Sequence, residues 1–137
     1  MRLAIISDIH ANVDALRAVL ADIRQHGADQ VLCLGELVGY NSFPRETLAL
    51  LQDHDVRSVH GNHDLMALAR LPDDGCGSLG RKAIHWTRGV LTEEDWWYLA
   101  GLPAELHAHE HGGQSRDRKS TRLNSSHLRQ SRMPSSA

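Results

Sequence analysis

Three short apolar runs, Leu3 to Ile6, Val31 to Leu34 and Val56 to Val59, alternate with stretches of helical spacing, and nothing else in the chain restricts its fold as strongly. A continuous run of this length suits a strand buried on both faces of a parallel sheet. After the first run, Asn12 can cap a helix in which Leu16, Val19, Leu20 and Ile23 recur at helical spacing, and Gly27 can close it. After the second, a helix starting around Ser42 to Pro44 carries Leu48 and Leu51. The order β-α-β-α-β predicts an α/β fold built on a parallel sheet. Beyond Asp64 the pattern turns helical. Leu65 to Arg70 is followed by a break from Pro72 to Gly77, then by a helix with Ala83, Trp86 and Val90 on one face. A last helix is capped by Thr92, with Asp95 as its capping-box partner, and ends at Gly101 and Pro103.

The polar exceptions to this pattern fall at the carboxyl ends of the three runs: Asp8 and His10, then Gly35 and Glu36, then Gly61 to Asp64. Ligand sites of open α/β sheets form along that edge, so three distant segments can converge there. Asp8 and His10, two apart on extended backbone, offer one cation a hard oxygen and an imidazole nitrogen. Alone, they read equally as a helix cap and a surface histidine. Glu36 has two oxygens that could bridge two cations, or it is a solvated loop carboxylate. In Gly61-Asn62-His63-Asp64 the glycine permits a tight turn, the Asn62 carbonyl is a neutral metal ligand, and His63 can handle a proton. An Asx turn with Asp64 capping the next helix accounts for Asn62 or Asp64, but gives no reason for His63 or for the two earlier motifs. Together the three motifs point to a metal site.

Composition supports a soluble globular body, with 41% apolar and 23% charged residues. The apolar start is too short for a signal-peptide core or a membrane span, so no membrane association and a cytoplasmic location are the expectation. Residues 1 to 116 carry 10 Lys/Arg and 16 Asp/Glu. That acidic balance gives no footprint for specific nucleic-acid binding and suits a site that cations neutralise. Cys33 and Cys76 form neither a disulfide framework nor a zinc motif, and read as incidental small residues. Residues 117 to 137, with 5 Lys/Arg and 1 Asp/Glu, are unlike the body. Asp117 to His127 resembles, codon for codon, the translation of a sequencing-library adapter, and Ser131 to Ala137 matches a later adapter segment. The tail is therefore expected to be non-native and disordered, and the genuine sequence to be cut off near Arg116.

With its motifs on the page, the chain resembles the calcineurin-like metallophosphoesterases, whose front motifs read D-x-H, G-D and G-N-H-D/E. The bacterial small-phosphoesterase branch is the nearest likeness, because Val38-Gly39-Tyr40 follows Glu36 as it does there. The resemblance covers Met1 to Leu106. It implies residues 1 to 116 of a four-layer α-β-β-α sandwich that holds two divalent ions, manganese, iron, zinc or similar. Asp8 and His10 would hold the first ion and Asn62 the second, with Glu36 between them. It implies a phosphate mono- or diester as substrate, hydrolysed by a metal-activated hydroxide, with His63, oriented by Asp64, acting on the leaving oxygen. Tyr40 and Asn41 would line the substrate pocket or simply form a turn. Glu36 stands where the family usually has Asp, adding about 1.5 Å of reach. The later family motifs, a strand ending in His-Gly together with a final Gly-His-x-His, are not both present, so the fragment is expected to bind metal weakly and turn over negligibly. A non-catalytic scaffold of the same fold is the alternative. A nucleotide-binding module fits less well, because Asp8-Ile9-His10-Ala11-Asn12 lacks the glycines that close phosphate approach needs. His107, His109 and His111 alternate as a polar edge strand would, and Trp86, Trp96 and Trp97 sit where helix packing is the expected use.

Overall fold

The computed structural model describes residues 1 to 109 and 120 to 123. Strand β1 (Leu3–Ile6) pairs in parallel with β2 (Gln30–Cys33), which pairs in parallel with β3 (Arg57–Ser58), in the order β1-β2-β3. The crossovers are α1 (Val13–Gln25) and α2 (Pro44–Asp53), which pack against each other. The expected β-α-β-α-β start is therefore present. Asn12 caps α1 by accepting from the Ala15 N–H at 3.1 Å, and Pro44 opens α2 where its missing N–H is not needed. The buried face of α1 is Val13, Leu16 and Leu20, whereas Val19 is 41% exposed, one step off the expected stripe.

Helix α3 (Asn62–Ala67) begins three residues earlier than the apolar pattern predicts. It ends early too, because Ala69 takes φ 56° and the Arg70 N–H reaches back to the Leu65 carbonyl at 2.8 Å. That is a Schellman-type stop made without the usual glycine, so nothing in the sequence announces it. Next come α4 (Ser78–Val90) and α5 (Glu93–Ala100). The Thr92 hydroxyl accepts from the Asp95 N–H at 3.2 Å, and the Asp95 carboxylate accepts from the Thr92 N–H at 2.9 Å, the predicted capping box. The buried face of α4 is Gly80, Ile84 and Thr87 rather than Ala83, Trp86 and Val90; Trp86 is half exposed. The large side chains suggested the wrong side because a glycine and a threonine face inward.

Two clusters hold the sheet. Leu16, Leu20, Cys33, Leu37, Leu48, Leu51 and Leu99 pack on one side, while Leu32, Val59 and Leu106 pack on the other. Leu48, Leu51 and Leu99 are fully buried, and each contributes roughly 1.5–3 kcal/mol by leaving water. Truncating Leu51 to Ala would cost about 2–5 kcal/mol, cavity included. Leu106 belongs to β4 (Leu106–His109), which pairs antiparallel with β5 (Ser120–Leu123). The tail expected to be disordered thus contributes one short strand, and the rest of it lies outside the described residues. His107 and His109 fall on β4 as expected, while His111 lies outside the described residues. Trp96 packs edge-on against Trp97 at 5.0 Å and lies under the Arg70 guanidinium, while Trp97 itself is largely exposed. Among the described residues, no helix is long and apolar enough to cross a membrane.

Candidate metal centre

The three motifs meet at the carboxyl edge of the sheet. Past β1 and β2 the two chains stay zipped: the N–H groups of Asp8, His10 and Ala11 donate to the carbonyls of Gly35, Glu36 and Leu37 at 3.2, 2.8 and 2.8 Å. This pairing forces a tight turn. Asp8, His10, Ala11, Glu36 and Tyr40 all take φ between 48° and 63°. Such left-handed backbone costs roughly 1–2 kcal/mol per residue, and its concentration here marks a site that the surrounding bonds over-determine. The extended backbone expected for Asp8 and His10 is absent, yet the turn still brings the His10 Nε2 within 3.9 Å of the Asp8 carboxylate.

His10 is oriented from behind. Its Nδ1 lies 3.2 Å from the Val38 carbonyl, which can only accept, so Nδ1 carries the proton and Nε2 presents its lone pair to the site. Asp8 is mostly exposed and accepts from the Ser7 hydroxyl at 2.5 Å. Glu36 reaches across to α3. Its Oε1 accepts from the Asn62 N–H at 2.7 Å, and its Oε2 accepts from the His63 N–H at 3.1 Å and from His63 Nδ1 at 2.7 Å. The longer side chain therefore serves as the cap that Gly61 cannot provide. Burial raises the Glu36 carboxyl, but these three donors outweigh it and hold the group below its ordinary range. The same contact raises His63, against the opposing effect of burial.

Gly61 and Gly35 make this approach possible. A Cβ on Gly61 would sit 2.4 Å from the Glu36 backbone nitrogen and 2.5 Å from its Oε1. A Cβ on Gly35, at φ 97°, would meet the Gly61 nitrogen at 2.7 Å. Asp64 is fully buried and accepts from the N–H groups of Gly61 at 2.7 Å, Leu37 at 2.9 Å and Val38 at 3.0 Å. Burial pushes it up to about 6, with those donors pulling the other way. Its carboxylate ties the second motif to the third. His63 Nδ1 faces Glu36, so the orienting carboxylate on that ring is Glu36, in the place expected for Asp64.

His10, Glu36 and His63 offer ligand atoms that all lie within 4.8 Å of one another, so these three could hold a metal ion. Asp8 stands at the rim, beside His10. Asn62 is exposed at the first position of α3, its N–H on Glu36. Tyr40 packs against both histidines, edge-on to His10 and tilted to His63, with ring centroids 4.9 Å and 4.8 Å away. Asn41 takes the turn role: its side-chain amide donates to the His10 carbonyl at 2.8 Å. Sequence reasoning missed the Val38 carbonyl and the Glu36 to α3 contact, because neither leaves a mark on residue type. Only the flanking glycines hinted at so close an approach.

A family model described as calcineurin-like phosphoesterase matches residues 1–135. The chain belongs to this family. An uncharacterized protein of Methanocaldococcus jannaschii is 43% identical over 101 residues, which are 74% of this chain and 42% of that protein. The crystal structure of a metallophosphoesterase from Sphaerobacter thermophilus is similar at 41% identity and TM-score 0.62, over 77% of this chain and 43% of that one. A hypothetical protein of Pyrococcus horikoshii shares the fold at 23% identity and TM-score 0.69, over 77% of this chain and 49% of that one. This calcineurin-like phosphoesterase chain thus spans less than half the length of the relatives it matches.

Proposed function

We propose that residues 1 to 116 supply the front half of a metal-dependent site that hydrolyses phosphate mono- or diesters. The observation that carries this reading is the convergence of His10, Glu36 and His63 at the carboxyl edge of a parallel sheet in a chain of this family. The donor set fits a divalent ion. The His10 Nε2 lone pair is free and faces the Asp8 carboxylate, and mixed oxygen and nitrogen donors suit manganese, iron or zinc. A carboxylate has about four lone-pair positions, and Glu36 already uses three, which leaves one on Oε1. That favours Glu36 as a single-oxygen ligand to an ion shared with Asp8 and His10, with Asn62 beside a second. Divalent ions there would polarise phosphoryl oxygens and lower the pKa of water. His63, held protonated by Glu36, would donate to the leaving oxygen, and Tyr40 would form one wall of the substrate pocket, with Asn41 fixing the turn behind it.

The saturated hydrogen bonding of Glu36 also supports the second reading, a metal-binding scaffold without turnover. The deciding experiment reads the genomic frame past Arg116 with a different library chemistry, expresses the resulting protein, and assays hydrolysis of a p-nitrophenyl phosphodiester and monoester with manganese. Turnover that is lost in His10→Ala supports the enzyme; manganese binding without turnover supports the scaffold. The same read tests our view that residues 117 to 137 are translated adapter, across which the family match also runs. Genomic DNA encoding that tail would overturn it.

A further inference from the structure

A cluster of different chemistry adjoins the hard-ligand site. The Cys76 sulfur, in the segment just before α4, lies 3.4 Å from the Met66 sulfur and 4.0 Å from His63 Nε2. His63 and Met66 are three residues apart in α3 and so share a face. The His63 ring is pinned, because its Nδ1 is 2.7 Å from the Glu36 carboxylate, which can only accept. Nε2 is therefore the unprotonated nitrogen of the neutral ring, and it is the atom turned toward Cys76. A carboxylate behind a histidine whose other nitrogen faces outward is the arrangement that orients histidine ligands in metal sites. Gly80, in the first turn of α4, allows the close approach: a Cβ there would meet the Cys76 Cβ at 3.3 Å and the Tyr40 ring at 3.4 Å.

We propose that His63 Nε2, Met66 Sδ and Cys76 Sγ form a binding site for one soft monovalent cation of the copper(I) class. Thiolate and thioether sulfur select soft ions, whereas the carboxylates of Asp8 and Glu36 select hard ones. With metal–sulfur bonds of about 2.3 Å and a metal–nitrogen bond of about 2.0 Å, the observed separations subtend angles of roughly 95° and 135°, within reach of a three-coordinate ion. One thiolate neutralises one positive charge, which suits a half-buried place better than a divalent ion would. The Cys76 thiol and the protonated His63 ring each release a proton to solvent as the ion binds. Cys76 is free and partly exposed, so an ion can reach it. The site does not depend on the phosphoesterase reading, although an ion held there would occupy the nitrogen that reading assigns to the leaving oxygen.

The test titrates the reduced, metal-free chain with copper(I) against a chromophoric copper(I) chelator. One equivalent is expected to bind. Cys76→Ser should weaken it by about a hundredfold or more and Met66→Leu by about tenfold or more, since losing even an outer-shell partner of a metal ligand costs roughly 10–100-fold. X-ray absorption of the loaded wild type should show two sulfurs and one nitrogen on the ion. Affinity unchanged in Cys76→Ser overturns the proposal. If either variant fails to fold, the wild-type spectrum decides, and one sulfur or none on the ion overturns it equally.

Discussion

Replacing Gly61 by Ala isolates the contact on which the candidate site is built. At φ −101° and ψ −176° the backbone of Gly61 is extended and open to any residue, so the substitution adds no backbone strain. By itself it would stabilise by about 0.4–1 kcal/mol through the unfolded chain. The cost comes entirely from the added methyl, placed 2.4 Å from the Glu36 nitrogen and 2.6 Å from its Cδ. A side-chain tip could swing away, but the nitrogen belongs to a turn whose next two N–H groups are held by buried Asp64. Separating the two segments strains those bonds and withdraws Glu36 from three donors. Hydrogen bonds to a charged group contribute about 1.5–3 kcal/mol each, and overpacking costs about 1–3 kcal/mol, so a partial loss predicts a net destabilisation of roughly 3–5 kcal/mol. Against a total near 5–15 kcal/mol for a chain of this size, that is severe. Urea unfolding followed by circular dichroism measures it. Gly89→Ala is the control, because nothing lies within 4 Å of a Cβ there and it sits inside α4, where alanine should gain about 1 kcal/mol. A Gly61→Ala midpoint equal to wild type would refute the argument from close approach.

Further outcomes follow from the same contacts. Asp64→Asn keeps an oxygen for Leu37 and Val38 but sets an amide N–H against that of Gly61, so it should lose about 1–3 kcal/mol in urea unfolding at neutral pH. Glu36→Asp draws the carboxylate back by about 1.5 Å, which breaks its contact with His63; the upward shift of the His63 ring should vanish in an NMR titration, and a persistent shift would contradict the pairing. The metal-free chain should lose stability as pH rises above 6.5. His63 is raised above that value in the folded state, so its contribution is complete below 6.5 and lost through the folded pKa. Glu36 is lowered, so its contribution is complete above 4.5 and lost as pH falls through its own folded value. Asp64, pushed up to about 6, has the opposite slope between 3.8 and about 6 and is ionised above that. Melting temperatures from pH 6.5 to 9 should therefore fall in wild type and stay flatter in His63→Gln.

The sequence was most readable where residue type and position coincide. Leu16 and Leu20 with Asn12 marked α1, Pro44 with Leu48 and Leu51 marked α2, and Thr92 with Asp95 marked α5. It was least readable where backbone did the work. Ala69 stops α3 in a conformation that glycine would have advertised, and Gly80 and Thr87 turn α4 away from its large side chains. At the site, the residue types of His10, Glu36 and His63 were legible because each ends a strand-linked motif. Their connections were not. A left-handed turn through Asp8, His10 and Ala11 carries no composition signal, and an acidic residue three places into a helix does not reveal that it holds a distant loop.

The zipper between the segments after β1 and β2 has a consequence for how this edge opens. The amides of His10 and Ala11 are bonded to Glu36 and Leu37, and those of Leu37 and Val38 to Asp64, so neither segment can detach alone without exposing the partners of the other. In native-state hydrogen exchange these amides should form one cooperative unit with a common opening free energy, distinct from the fraying ends of α1 and α4. Substitutions at Gly35, Gly61 or Asp64 should then speed exchange at Ala11 as much as at Val38. Donors contributed by three segments would assemble or disperse together, as one event.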